Sequence, residues 1–192
     1  MTRPLRPIET AAVDVEAAAD AVADLMRALG MEVDDPSLAR TPRRVAHAYA
    51  ELLEPPAFGL TTFPNDENYD ELVVARDIPF TSLCEHHLLP FVGTAAVGYL
   101  PGARILGLSK LARVVELFAR RPQVQERMTK QIGAWLESHL HPQGVGVVIR
   151  AEHTCMTLRG VRAHGATTVT SAMLGTLRDD LRSRAEFLSL AT

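Results

Sequence analysis

The chain has 192 residues, 47% of them hydrophobic and 22% charged, with 20 Lys and Arg against 23 Asp and Glu for a formal net charge of −3. That is enough chain for one domain with a real core plus a helical extension. The slightly negative balance does not favour nucleic acid or a membrane surface as a general partner. No apolar run reaches the roughly 18 residues of a membrane span, and MTRPLRPIETAAVDVEAAAD at the N-terminus lacks an apolar signal core. The chain is therefore read as cytoplasmic.

Residues 8–29 are predicted as an amphipathic helix, with Val15, Ala18, Val22, Leu25, Met26 and Leu29 at helical spacing and Gly30 as the stop. A second helix follows in TPRRVAHAYAELLEPP. Thr41 is its expected N-cap, Pro42 suits the first turn, and Val45, Tyr49 and Leu52 line one face before Pro55 and Pro56 end it. Residues 57–70 read as a loop, linking an N-terminal helical extension (1–56) to a main domain (71–192). Residues 71–80, 92–100 and 104–108 are predicted as strands.

Ser109 is expected to cap a helix with Leu111, Val114, Val115 and Phe118 on one face. Pro122 is expected to open another, through roughly His139, with Val124, Met128, Ile132, Trp135 and Leu136 as its apolar positions. Residues 145–158 read as a long strand, 166–174 as another, and LRDDLRSRAEFL as a short charged helix. Strands separated by a helical pair predict an α+β domain with an antiparallel sheet.

The chain has two cysteines, and each stands within three residues of a histidine, in CEHH and EHTC. A reducing compartment argues against a disulfide between them. A catalytic zinc site takes three protein ligands and keeps a fourth position open. Cys84 and His87 are spaced so that one turn can present both to one ion, and Cys155 is the other cysteine available. On a strand, His153, Cys155, Thr157 and Arg159 would share a face. Cys84, His87 and Cys155 would then form a Cys₂His site, leaving His86 and His153 free for proton transfer beside the metal. The plain alternative is two core cysteines and ordinary, satisfied histidines.

Lys110 and Arg113 fall three apart on the first turns of a helix, where a cation gains nothing from the dipole and makes better sense beside a bound anion such as phosphate. Arg159 and Arg162 flank a glycine in LRGVR, and Arg43 and Arg44 start the second helix. Singly, each reads as a solvated surface charge; together they could collect a polyphosphate. Gln125 and Glu126 set an amide beside a carboxylate. A carboxylate can accept two hydrogen bonds from a guanine edge, although such a pair on a helix ordinarily just faces solvent.

The segments SLCEHHLLPF, GYLPG, GLSKLARVVELFARRPQVQERMTKQI, EHTCMTLRGVR and TVTSAMLG, in that order over about residues 71–190, resemble GTP cyclohydrolase I, with TPRRVAHAYAEL a looser match upstream. The resemblance implies a tunnelling fold (T-fold), in which small antiparallel sheets from several subunits join into a barrel. It also implies a homodecamer of two pentamers with active sites at subunit interfaces. The implied reaction opens the imidazole ring of GTP, releases C8 as formate, rearranges the ribose and closes a pterin ring, giving 7,8-dihydroneopterin triphosphate.

By the same resemblance Cys84, His87 and Cys155 would bind Zn2+, which activates the water that attacks C8. His86 and His153 would move protons, His153 toward the purine. Glu126 with Gln125 would anchor the guanine. Ser109, Lys110, Arg113 and Arg159 would hold the ribose and triphosphate, and Arg44 would reach a phosphate from a neighbouring subunit. Two departures stand out: His47 stands where many bacterial relatives have a lysine or arginine, and residues 54–70 differ from the usual glycine-bearing linker.

Two other functions compete with this one. A nitrile reductase of the same fold would use Cys84 as a covalent nucleophile without zinc, leaving the second Cys/His cluster unexplained. A non-catalytic, zinc-stabilised oligomer that binds purine nucleotides would have no use for both His86 and His153.

Overall fold

The computed structural model describes residues 12–55 and 57–192. They form two compact units that meet in sequence at Pro55–Pro56.

The first unit is a helical pair, α1 (Val15–Ala28) packed on α2 (Thr41–Leu53), with Met26, Ala46 and Ala50 buried. Asp14 sets the start of α1: its carboxylate accepts the Ala17 N–H at 3.0 Å, so the helix begins at Val15 and residues 12–14, predicted as helical, precede it. Residues 8–11 lie outside the described residues. Thr41 is the first helical residue of α2, not its cap, and no side chain caps that end.

The second unit carries β1 (Thr62–Pro64), β2 (Val73–Cys84), β3 (Pro90–Leu100), β4 (Arg104–Leu106), α3 (Ser109–Ala119), β5 (Pro122–Gln123), α4 (Gln125–Leu140), β6 (Gly144–His153), α5 (Thr154–Thr157), β7 (Thr168–Gly175), α6 (Thr176–Asp179) and α7 (Leu181–Leu190). The main sheet runs β5-β2-β3-β6-β7, and every pair in it is antiparallel except β2 with β5. This is the expected α+β architecture.

Strand alternation sorts the sheet into two faces. Gly98 and Gly146 pair across β3 and β6, and both lie against the ring of Phe187 in α7; Ala96, Val148, Met173 and Leu177 complete that core. The opposite face carries Val147, Ala172 and Leu174, which meet α4 at Gly133. His153, six residues on from Val147, points to that same α4 face. This parity brings the start of α4 to the functional end of β6.

Four sequence expectations change here. The stretch read as a loop over 57–70 contains β1, which pairs with β4, and Asn65 fixes its end by donating to the Tyr69 and Gly102 carbonyls at 2.9 Å each. Ser109 is the first residue of α3 rather than its cap. Pro122 does not open a helix: Pro122–Gln123 pairs alongside Leu83–Cys84, and α4 starts at Gln125. Proline fits such an edge position because it has no ladder N–H to lose. Finally, β6 ends at His153 and the chain turns helical through Thr154–Thr157. Cys155 therefore leaves the strand, and His153, Cys155, Thr157 and Arg159 do not share a strand face.

Candidate metal centre

The β2–β3 hairpin delivers the first two donors. Leu83 pairs with Pro90, and beyond that pair the chain turns through residues 85–89. The N–H groups of His87 and Leu88 both donate to the Cys84 carbonyl, at 3.3 and 2.8 Å, and Leu88 takes the left-handed conformation at φ 53°. This tight turn folds His87 back so that its Nδ1 lies 3.6 Å from Cys84 Sγ. His86 Nδ1 stands farther from the same sulfur, at 4.0 Å, and its side chain is largely exposed.

The third donor arrives from β6. Phe91 of β3 stands opposite His153, so the end of β6 lies beside the hairpin. The short helical turn α5 follows at once, and the Thr154 hydroxyl donates to the Pro90 carbonyl at 2.6 Å, tying that turn to the start of β3. Cys155 is thereby brought next to Cys84. One donor atom from each of Cys84, His87 and Cys155 lies within 4.8 Å of the others, and neither cysteine is in a disulfide.

The donor set fits a tetrahedral divalent ion. Metal–sulfur and metal–nitrogen bonds of about 2.0–2.3 Å hold ligand atoms roughly 3.5–3.8 Å apart around a tetrahedron, the spacing already present between Cys84 and His87. Without an ion the arrangement is unfavourable to charge: burial pushes the Cys155 thiol up, the adjacent Cys84 thiol adds to this, and the Arg159 guanidinium offsets it only in part. A bound cation reverses that cost, because it stabilises the thiolates. Three protein ligands leave one coordination position for water or substrate.

Around these donors the polar groups fall into two sets. His153 stacks face to face on Phe91, with ring centroids 4.6 Å apart and planes 6° from parallel. Its Nε2 meets Gln125 Oε1 at 2.8 Å. Burial lowers the His153 pKa, and the Glu126 carboxylate partly offsets the shift, so the two groups are electrostatic neighbours. On the other side, the Arg127 guanidinium hydrogen-bonds Glu85 and holds its carboxyl below the ordinary value, while the far oxygen of Glu85 stands 3.8 Å from His86 Nε2.

Gln125 and Glu126 have opposite surroundings. Glu126 is exposed in the first turn of α4, where a carboxylate also suits the helix dipole. Gln125 is 1% exposed, and the two hydrogens of its amide NH₂ are shared among the Ile149 and Thr168 carbonyls and the Thr170 hydroxyl. Its side chain has no free group for a purine edge, which departs from the expectation that it shares the anchor with Glu126. Neither this network nor the Glu85–Arg127 pair was foreseen; each joins residues at least 24 positions apart, with no local signal in the sequence.

Ser109 and Arg113 are exposed on the first turns of α3, with Lys110 half-buried between them. Lys110 Nζ lies over the Phe58 ring, 5.6 Å from its centroid. Arg159 is exposed just after α5, close enough to act on the Cys155 thiol. Arg44 and His47 are exposed on α2, in the other unit, where the neighbouring Arg43 pairs with Glu16 at 3.0 Å. No helix among the described residues is long and apolar enough to cross a membrane.

Comparison with known proteins places this geometry in a family. The chain is 51% identical to GTP cyclohydrolase 1 of Mycolicibacterium vanbaalenii, over 95% of this chain and 93% of that protein. It is 49% identical to the protein of that name from Clostridioides difficile, over 94% and 97% respectively. With that of Aquifex aeolicus the identity is 48%, over 93% and 97%. The family described as GTP cyclohydrolase I matches residues 18–192. With its Cys₂His donor set and its sequence over nearly the whole length, the chain belongs to the GTP cyclohydrolase I family.

Proposed function

We propose that this enzyme hydrolyses the imidazole ring of GTP, releases C8 as formate and rearranges the ribose to give 7,8-dihydroneopterin triphosphate. Two waters are consumed in cutting the two C8–N bonds, and their oxygens leave in the formate; closing the ring by condensation of an amine on the ribose-derived carbonyl returns one, so one water is consumed net. The observation that carries the reading is the convergence of Cys84, His87 and Cys155 on one point, with His153 two residues from Cys155 and Glu126 within electrostatic reach of His153.

Two thiolates and an imidazole select zinc among the common divalent ions. When bound, zinc supplies Lewis acidity and lowers the pKa of a water in its open position. The chain's own groups do the rest. His153, its ring held flat against Phe91, passes a proton to the purine as the ring opens. His86, exposed and beside Glu85, exchanges protons with solvent.

The Glu126 carboxylate accepts the two donors of the guanine edge, which adenine does not present in that pattern. Ser109, Lys110, Arg113 and Arg159 hold the ribose and the triphosphate, whose charge the helix N-terminus also favours. Arg44 completes the phosphate contacts from a neighbouring subunit, within a homodecamer of two pentamers. In this scheme residues 1–56 serve assembly, 57–70 connect, 71–192 carry the chemistry, and the enzyme works in the cytoplasm.

The test is incubation of metal-replete protein with GTP, followed by oxidation, detection of fluorescent neopterin and assay of formate in the same sample. Both products are expected. Formate without pterin would mean that ring opening occurs without ribose rearrangement, a different hydrolase. Neither product from zinc-loaded protein would sink the enzymatic reading.

A further inference from the structure

Gln125 is buried, adjacent in sequence to the candidate guanine anchor, and spent on protein partners. Its hydrogen bonds determine which way its amide faces. The Ile149 and Thr168 carbonyls, 3.1 and 3.0 Å from one end of the amide, can only accept. That end is therefore the NH₂ group, and a flipped amide would set an oxygen against two carbonyl oxygens. The third partner agrees. The Thr129 hydroxyl donates to the Gln125 backbone carbonyl at 2.7 Å, so the 2.6 Å contact between Thr129 and Thr170 takes its hydrogen from Thr170. Thr170 Oγ1 is then an acceptor for the Gln125 NH₂ at 3.1 Å.

With the amide so oriented, Oε1 is the atom that faces His153 Nε2 at 2.8 Å. An amide oxygen only accepts. Nε2 must then carry a hydrogen, because a bare Nε2 would set its lone pair against that of the amide oxygen at 2.8 Å. The Phe91 stack fixes the plane of the ring, and this hydrogen bond fixes its rotation within that plane.

We infer that Gln125 is a positioning residue for the reaction: its amide oxygen takes the Nε2 hydrogen of His153 and so fixes the tautomer and the in-plane rotation of the ring that Phe91 holds flat. This rests on the proposed role of His153 in proton transfer. Gln125 acts through the histidine and not on the nucleotide. The network Thr129–Thr170–Gln125–His153 is a rigid mount anchored in α4, β6 and β7, the same elements whose packing forms the core. Fixing a metal-free histidine in this way follows the logic by which outer groups set the tautomer of liganded histidines.

Neutron diffraction of deuterated wild-type crystals tests the atom directly. Deuterium on His153 Nε2 is expected; a bare Nε2 would overturn the inference whatever any variant does. Kinetics test the consequence. Gln125→Met should keep its zinc content and its KM for GTP while kcat falls ~10–100-fold, part of the ~10²–10⁴ that a placed acid or base supplies. A raised KM at wild-type kcat would instead make Gln125 a substrate contact. His153→Ala separates the two levels. If it is inactive while Gln125→Met turns over normally, only the positioning role is lost. If His153→Ala turns over normally, both readings fall.

Discussion

Thr154→Val tests how the metal centre is assembled. Cys155 comes from a strand end distant in sequence from Cys84 and His87, and the Thr154 hydroxyl links its turn to the Pro90 carbonyl at 2.6 Å. Valine keeps the size and removes the donor. Losing one hydrogen bond of this kind costs about 0.5–1.5 kcal/mol. If the bond holds α5 in register with the hairpin, that cost appears in metal binding as ~2–12-fold weaker affinity, at tenfold per 1.4 kcal/mol.

The assay is chelator competition against a zinc-responsive dye, with Thr154→Ser as the control that keeps the hydroxyl and should bind like wild type. Thermal midpoints of the same samples separate a local effect from general loosening. If the valine variant holds zinc as tightly as wild type, the hydroxyl does not position Cys155, and the backbone of β6 must do so alone.

Further expectations bear on the site and the core. Cys155→Ser should lose both zinc and activity; a variant that keeps its metal would show that the ligand assignment is wrong. Glu126→Ala should weaken GTP binding without loss of zinc, since Glu126 is exposed and makes no core contact; unchanged GTP affinity would place the guanine anchor elsewhere. Phe187→Ala should cost ~3–5 kcal/mol in urea unfolding, because the ring is 0% exposed and fills the space over the Gly98–Gly146 pair; a cost below ~1 kcal/mol would mean that α7 is not anchored by it.

Asp180 caps α7, and hydrogen bonds from the Ser183 N–H and hydroxyl lower its pKa. A depressed carboxylate stabilises above its unfolded pKa, and the gain is lost as pH falls through the folded value. Asp180→Ala should therefore lower the thermal midpoint at neutral pH and match wild type in acid. A constant difference across that range would show that the carboxylate charge is not what caps the helix.

The candidate donors Cys84, His87 and Cys155 stood out in the sequence because two of them lie three residues apart and only one other cysteine exists, and the family resemblance made the set specific. His86 and His153 were candidates because they stand beside those donors in the sequence; Glu126 was marked by the match of a carboxylate to a guanine edge, a weak signal that the family resemblance made specific. The faces of α3 and α4 followed from periodicity, and Leu111, Val114, Val115, Phe118, Met128, Ile132 and Leu136 are buried there; α1 and α2 form as helices, but Leu25 and Leu29 are exposed and Met26, Ala46 and Ala50 are the buried positions. Local chemistry went only so far. Asp14 and the turn at Pro122 moved helix starts, because caps and edge pairing depend on what lies alongside.

What the sequence by itself determined is the inventory: which side chains can ligate, carry protons or bind anions, and which stretches alternate as strands. Tertiary structure alone decided how these are arranged. The register of β3 on β6 set Phe91 opposite His153. The exit of β6 into α5 took Cys155 off the strand face it was expected to share with His153. The parity of β6 brought Gln125 under His153, where its amide is taken up by protein partners. Each of these depends on pairing between segments far apart in the chain, and a strand's own residues specify its alternation but not its partner's register.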